Sequence, residues 1–314
     1  MAGGIAKSGG FRGLRGRESL DGLLFAGPAI LGLLIFTAYP IIYSFYLSFT
    51  EYNIISPPRF VGLANYEQML LQDQLFRTSL KATLYYSVVS IPASLILSFL
   101  VALLMNQKVR GIAFYRTIWY LPSLVPAAAG AALWRWILNR DFGLLNIMLG
   151  NLGLPTPGWL IEPRWTIPSL VMIGLWMGLG STMLVFLAGL QGVPTHLYEA
   201  AEIDGANFWH KFRHITIPMM SPIIFFNLIL GIINSFQVFT IVYLIYTPTG
   251  SGSAGPSDSA LFYMVYLYRN AFQYFKVGYA AALSWVLFLI IVVLTYLMFK
   301  FQHRWVYYEA ERAG

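Results

Sequence analysis

The chain has 314 residues, of which 58% are hydrophobic and 11% charged, with a net charge of +7 and a mean hydropathy of +0.64. A soluble domain carries about 25% charged residues, so this composition excludes a disordered protein, a coiled coil and an ordinary soluble enzyme. The chain has no Cys, which removes disulfides, thiolate metal sites and thiol catalysis.

The first twenty residues are basic and rich in Gly, from Gly3 to Gly16, and are expected to be mobile. Residues 22–50 then carry no charge, and the same holds for 82–107, 117–134, 165–195, 215–257 and 277–299. A helix rises about 1.5 Å per residue, so about 20 apolar residues cross the hydrocarbon layer. The pattern predicts an all-α membrane protein with six transmembrane helices near 23–48, 82–105, 117–136, 167–189, 221–246 and 277–300. The first apolar run exceeds the roughly 7–15 residues of a signal-peptide core and is expected to stay as a membrane helix. A seventh uncharged stretch, 142–161, contains four Gly, two Pro and two Asn. Lipid-exposed backbone must satisfy its own polar groups, so this stretch reads as an external loop with short helical pieces.

Six crossings put both termini on one side. With the termini inside, 12 Lys and Arg fall in cytoplasmic segments and 8 outside, which agrees with the positive-inside bias. None of the 13 acidic residues lies in a predicted span. Ion-coupled carriers generally place ionisable groups at membrane depth, so this counts against a stand-alone secondary carrier. A membrane-embedded enzyme also finds little foothold: His196, His210, His214 and His303 lie in or near the 191–220 loop and the tail. The 210/214 pair is i,i+4 but lacks an HExxH pattern, and a basic interfacial face explains it better than a metal site.

The loop 191–220 carries the most specific signal. Pro194 ends the fourth span, and Thr195 is placed to cap a helix over 196–204. Gly205 is placed to end that helix in a left-handed conformation. A second helix is expected over 206–214, with Pro218 and Pro222 resetting the chain into span five. Glu199-Ala200-Ala201, three residues, Gly205, nine residues and Ile215-Thr216-Ile217-Pro218 resemble the EAA motif of the membrane subunits of ATP-binding-cassette importers. Ile217 stands where the family pattern has Leu. Phe60–Tyr66, Tyr115–Pro122 and Phe142–Asn146 are similar to segments of carbohydrate-type permeases of the maltose and glycerol-3-phosphate kind.

The resemblance implies a sugar-importer permease whose EAA loop, between helices four and five, docks on a separate ATPase. Glu199, Ala200, Ala201, Asp204, Gly205 and Pro218 would form that coupling surface. It also implies a substrate path at Met177, Gly178, Ser181, Ile233, Asn234 and Gln237. Gly174, Met177, Gly178 and Ser181 share one helix face. The aromatic residues Trp176, Phe236, Phe239 and Tyr243 suit either stacking on sugar rings or packing. The implied division is a basic cytoplasmic N-terminus (1–22), a first transmembrane helix (23–50) and an external loop (51–81). A MetI-like importer domain (82–302) and a cytoplasmic tail (303–314) follow. The expected partners are a second, paralogous (MalG-like) permease subunit, an ATPase dimer, an extracytoplasmic solute-binding protein and membrane lipid, with no nucleic acid. No cofactor is expected on this chain, because GxxxxGK[ST] is absent; ATP and Mg would belong to the ATPase. The expected location is a bacterial or archaeal plasma membrane. The alternatives are a permease for another small solute, such as glycerol-3-phosphate, or the stand-alone carrier.

Overall fold

The structure is a computed structural model that describes residues 22, 24–246 and 253–307. The Gly-rich segment 1–20 and the end of the tail lie outside the described residues. Among the described residues, five helices are long and apolar enough to cross a membrane: α1 (Leu24–Ser48), α2 (Gln74–Met105), α6 (Pro163–Gly192), the run Phe208–Tyr246 and α11 (Val277–Gln302).

The remaining predicted span, 117–136, is not a single helix. It is α3 (Ile112–Tyr120), a 3-10 turn (Leu121–Leu124) and α4 (Ala127–Ile137). Pro122 lacks an N–H and opens the 3-10 turn with Leu121 still helical, and Pro126 causes the break, since the residue before a proline is pushed out of helical geometry. Val125, ahead of Pro126, is extended at φ −71°, ψ 125°. The broken segment lies against α6, and Gly180 makes the approach possible, because a Cβ there would collide with the Trp119 carbonyl oxygen.

Span boundaries also differ from the charge gaps. α2 starts at Gln74, where Asp73 Oδ1 accepts the Phe76 N–H at 3.0 Å. Arg77 and Lys81 occupy its first turns. Charge-free runs mark the apolar stretch, whereas caps mark the helix ends. The predicted span 221–246 is interrupted: α8 (Ile217–Phe236) ends at Gln237, and α9 (Thr240–Tyr246) follows. Residues 142–161 contain one short helix, α5 (Leu144–Asn151).

Prolines are tolerated inside two of these helices through one device. A π turn at Leu34–Ala38 precedes Pro40, and another at Phe212–Thr216 precedes Pro218. Each widens the ladder where a proline ring would press on the carbonyl four residues back.

The three family-like segments each contain a polar side chain that ties loop to helix. Asn65 Nδ2 donates to the Ser48 and Thr50 carbonyls (2.9 and 3.0 Å), and Tyr66 Oη donates to Ser48 Oγ. This holds the short hairpin β1 (Thr50–Glu51) and β2 (Arg59–Phe60) against the end of α1. Arg116 donates twice to the Met105 carbonyl, closing the end of α2. Buried Asn146 donates to the Arg140 and Pro157 carbonyls and accepts from Trp159 Nε1 at 2.8 Å.

α2 and α6 pack side by side at the centre and run parallel. Val101, Ala102 and Met105 share a buried cluster with Met183, Phe186 and Leu190. α8 runs in the opposite direction, with Met220 in that same cluster. α1 rests on α11 through its last turns, and its first half is exposed.

Candidate functional site

A cavity of about 390 Å³ opens between α2, α6 and α8. Each helix contributes a stripe at helical spacing. From α2 come Tyr86, Ser90 and Ser94; from α6 Gly174, Gly178, Ser181 and Thr182; from α8 Asn227, Gly231 and Asn234. The polar lining is hydroxyl and amide, with no charged side chain. Gly174 lets the Tyr86 hydroxyl approach α6, since a Cβ there would lie 2.5 Å from it. Gly178 faces open space. Several hydroxyls fold back on their own helix: Ser181 Oγ and Thr182 Oγ1 both donate to the Gly178 carbonyl, at 2.9 and 3.3 Å. Asn227 donates to the Ile223 carbonyl at 2.9 Å. Asn234 is exposed to the cavity.

Of the residues predicted for the pathway, Gly178, Ser181 and Asn234 line this cavity together. Met177 turns instead toward Gly130 of α4, half-buried Ile233 sits a helical step from Asn234, and exposed Gln237 caps the end of α8. One residue along a helix is a turn of about 100°, which carries Met177 and Ile233 off the stripe. Sequence reasoning missed Tyr86, Ser90 and Ser94. Their i, i+4, i+8 spacing inside an otherwise apolar span was the available signal.

The loop between α6 and α8 holds α7 (Thr195–Ile203). Pro194, not Thr195, occupies the cap position, and no side chain caps the helix. The C-terminal end closes as a Schellman turn: Ala206 N donates to the Ala201 carbonyl at 2.8 Å and Gly205 N to the Glu202 carbonyl at 3.0 Å. Gly205 has φ +76°, as that turn requires. Asn207 caps the next turn through the His210 N–H, and the chain continues as helix from Phe208 through the π turn into α8. Pro218 therefore lies within a continuous helical path and does not restart it.

Glu199, Ala200, Asp204 and Gly205 are exposed, and Ala201 is half-buried. Beside them Ile203 is 88% exposed, Phe208 71% and Trp209 62%. Lys211 Nζ pairs with Glu202 Oε1 at 2.7 Å, and Tyr198 Oη meets Thr216 Oγ1 at 3.0 Å. These contacts tie α7 to the base of α8. The His210 and His214 rings stack at 5.3 Å, and no metal-binding group of His, Asp or Glu occurs among the described residues.

At the opposite end of the bundle Asp73 joins three elements. Beyond capping α2, it accepts the hydroxyls of Tyr266, on α10 (Tyr263–Tyr268), and of Tyr279, on α11. Burial, reinforced by the Asp73 carboxylate, pushes the Tyr266 phenol above its usual range.

Long apolar helices around a neutral polar cavity, with an exposed helical loop at one end, have the architecture of a multi-pass membrane protein. The chain belongs to the family of binding-protein-dependent transport system inner membrane components, whose pattern matches residues 74–307. It is 38% identical over 297 residues to the probable ABC transporter permease protein YesP of Bacillus subtilis (strain 168), covering 94% of each chain. It is 34% identical over 301 residues to the arabinooligosaccharides transport system permease protein AraP of the same organism, covering 94% of this chain and 92% of that one. Among solved structures it is similar to a chain of a bacterial alginate ABC transporter in complex with an alginate pentasaccharide-bound periplasmic protein. There the TM-score is 0.79 at 26% identity, covering 91% of this chain and 96% of the other. The resemblance read from the EAA loop is thereby borne out.

Proposed function

We propose that this chain forms half of the transmembrane pathway of an ATP-driven, binding-protein-dependent importer for a sugar or oligosaccharide. The observation that carries the reading is the cavity between α2, α6 and α8, whose tyrosyl, seryl, threonyl and amide groups suit neutral hydroxyls. The names of the relatives support the same substrate class. In this reading α3 and α4 count together as one broken crossing. The broken backbone is tolerated because it lies against protein at Gly180. That gives six crossings with both termini cytoplasmic, in the plasma membrane of a bacterium or archaeon.

α7 is the coupling element of this reading. Glu199 offers a carboxylate to an ATPase subunit, Ala200 and Ala201 permit close packing, and Asp204 and Gly205 shape the turn. ATP and Mg belong to the ATPase dimer. A second, paralogous permease completes the pathway, and an extracytoplasmic binding protein delivers the solute. A stand-alone carrier is disfavoured because no Asp or Glu occurs within the five long helices.

The test is affinity purification in mild detergent from cells expressing the chain with the proposed partner permease, ATPase and binding protein, followed by reconstitution into proteoliposomes. Uptake of arabinooligosaccharides, lactose, trehalose, maltose and alginate pentasaccharide is then measured with and without ATP. ATP-dependent import of at least one of these, by a complex containing two ATPase chains, is expected. A functional lone homo-oligomer, or uptake indifferent to ATP, refutes the proposal.

A further inference from the structure

The cavity ends, away from the α7 loop, at Asn234 and Val238. The next residue, Phe239, begins an aromatic group that the cavity does not account for. Phe239 stacks on Tyr243 with centroids 5.1 Å apart and planes 28° apart. Tyr268 of α10 closes the triangle, 5.0 Å from Phe239 and 5.1 Å from Tyr243. Phe272 continues the row, 5.0 Å beyond Tyr268, and is 62% exposed.

Phe239 packs in part against the main core, whereas Tyr243, Tyr268 and Phe272 do not belong to it. Val242, Ile245 and Tyr246 take the buried positions of α9, and Tyr263, Val265 and Tyr266 take those of α10. Tyr243 and Tyr268 are only half-buried on those two helices, and half-buried Phe239 lies just ahead of α9. The row thus leads from the polar cavity to the surface, aromatic side outward. Aromatic rings with hydroxyl tips present an apolar face and a wet edge. A pyranose ring has the matching character, with C–H groups on its face and hydroxyls on its rim. Aliphatic lipid would match the ring faces but gains nothing from continuity with amide and hydroxyl groups.

Resting on the proposed importer reading, we infer that Phe239, Tyr243, Tyr268 and Phe272 form an outer stacking track. On it the ring faces of a saccharide rest before entering the cavity at Asn234.

The test uses the complete reconstituted complex with its binding protein, and the sugar of the panel above that the unmodified complex imports best. Tyr268→Leu and Phe272→Leu keep apolar bulk and remove the ring; Tyr268→Phe keeps the ring. Because the binding protein sets capture, the track acts after delivery, so the sugar imported per ATP is the readout. Each Leu variant is expected to lower uptake about threefold to tenfold, the range of one aromatic contact, with binding-protein-stimulated ATP hydrolysis within about twofold of normal. Tyr268→Phe, which keeps the ring face and loses only the hydroxyl tip, is expected to retain more import than Tyr268→Leu. Unchanged uptake in both Leu variants overturns the track. So does a parallel fall of uptake, ATP hydrolysis and assembled complex, which would mean that the rings only pack. Absence of import by the unmodified complex sinks the importer reading itself, and is thereby distinguishable.

Discussion

Gly205 gives the sharpest test of how the loop is built. Its φ of +76° is left-handed, and its N–H closes the end of α7 on Glu202 while the next N–H reaches Ala201. A Cβ at this position meets nothing within 4 Å, so Gly205→Ala costs only backbone strain. That strain is about 1–2 kcal/mol for an L-residue in this region, which shifts the closed turn about 5- to 30-fold toward open forms. Asn tolerates the conformation better, so Gly205→Asn falls between Gly and Ala. Proline fixes φ near −65° and has no N–H, so Gly205→Pro loses the Glu202 bond and the turn together. ATP-dependent uptake in proteoliposomes should therefore follow Gly, Asn, Ala, Pro in descending order, with Pro near zero and equal amounts of chain in the membrane. Amide hydrogen exchange at Gly205 and Ala206, compared between Gly205 and the Ala variant, reads the turn directly. Wild-type uptake by the Pro variant would refute both the turn's role and the coupling assignment. An Ala variant that exchanges no faster than Gly would refute the strain argument alone.

Glu199→Lys reverses an exposed charge without burying anything, so the chain should reach the membrane while co-purification of the ATPase and sugar uptake are both lost. Normal ATPase recovery would remove Glu199 from the interface. Asn65→Ala orphans the Ser48 and Thr50 carbonyls and should cost at least about 2 kcal/mol, seen as earlier thermal unfolding in detergent; an unchanged transition would mean that water replaces the amide. Gly178→Phe should block uptake without lowering thermal stability, because its Cβ points into open space. Gly174→Ala should do the reverse in part, displacing the Tyr86 hydroxyl while leaving most of the cavity open. Equal effects of the two on uptake and on stability would contradict the cavity geometry.

The membrane class and the helix that stops at Gly205 were legible because their signals are local. Charge-free runs report hydrocarbon width, and Gly205 followed a helical run at the spacing that a left-handed stop demands. The helix ends were less legible. α2 begins at Asp73 because of a cap, and Arg77 and Lys81 hid that start from a search for uncharged residues. The break at Pro122 and Pro126 was visible as residues, but whether two prolines kink or divide a span depends on what α6 offers opposite them. Gly180 belongs to that tertiary answer. Half of the predicted pathway residues reached the cavity for a similar reason. A helix face is about 100° per residue, and its rotation is set by neighbours that sequence spacing does not contain. Gly178, Ser181 and Asn234 fall within the stripe, while Met177, Ile233 and Gln237 fall just outside it.

The path from loop to cavity is short and helical throughout, which bears on how the two proposed sites would communicate. From Phe208 the backbone runs through the π turn into α8 and reaches Asn227 and Asn234 without leaving helical geometry. Tyr198–Thr216 and Lys211–Glu202 fasten α7 to the base of that path. A force on α7 would then act on α8 as a lever, and α8 carries one wall of the cavity. The other two walls, α2 and α6, meet in the buried cluster around Phe186 and Met105, which α8 enters only near its base, through Met220 and its neighbours. The helical ladder is altered at the π turn ahead of Pro218 and ends at Gln237, and a hinge in this coupling would fall there. Coupling of this kind needs a packed element with two arrangements rather than a dedicated wire of residues. In the proposed coupling α8 would be that element, carrying Asn227, Gly231 and Asn234 together relative to Tyr86 and Gly178.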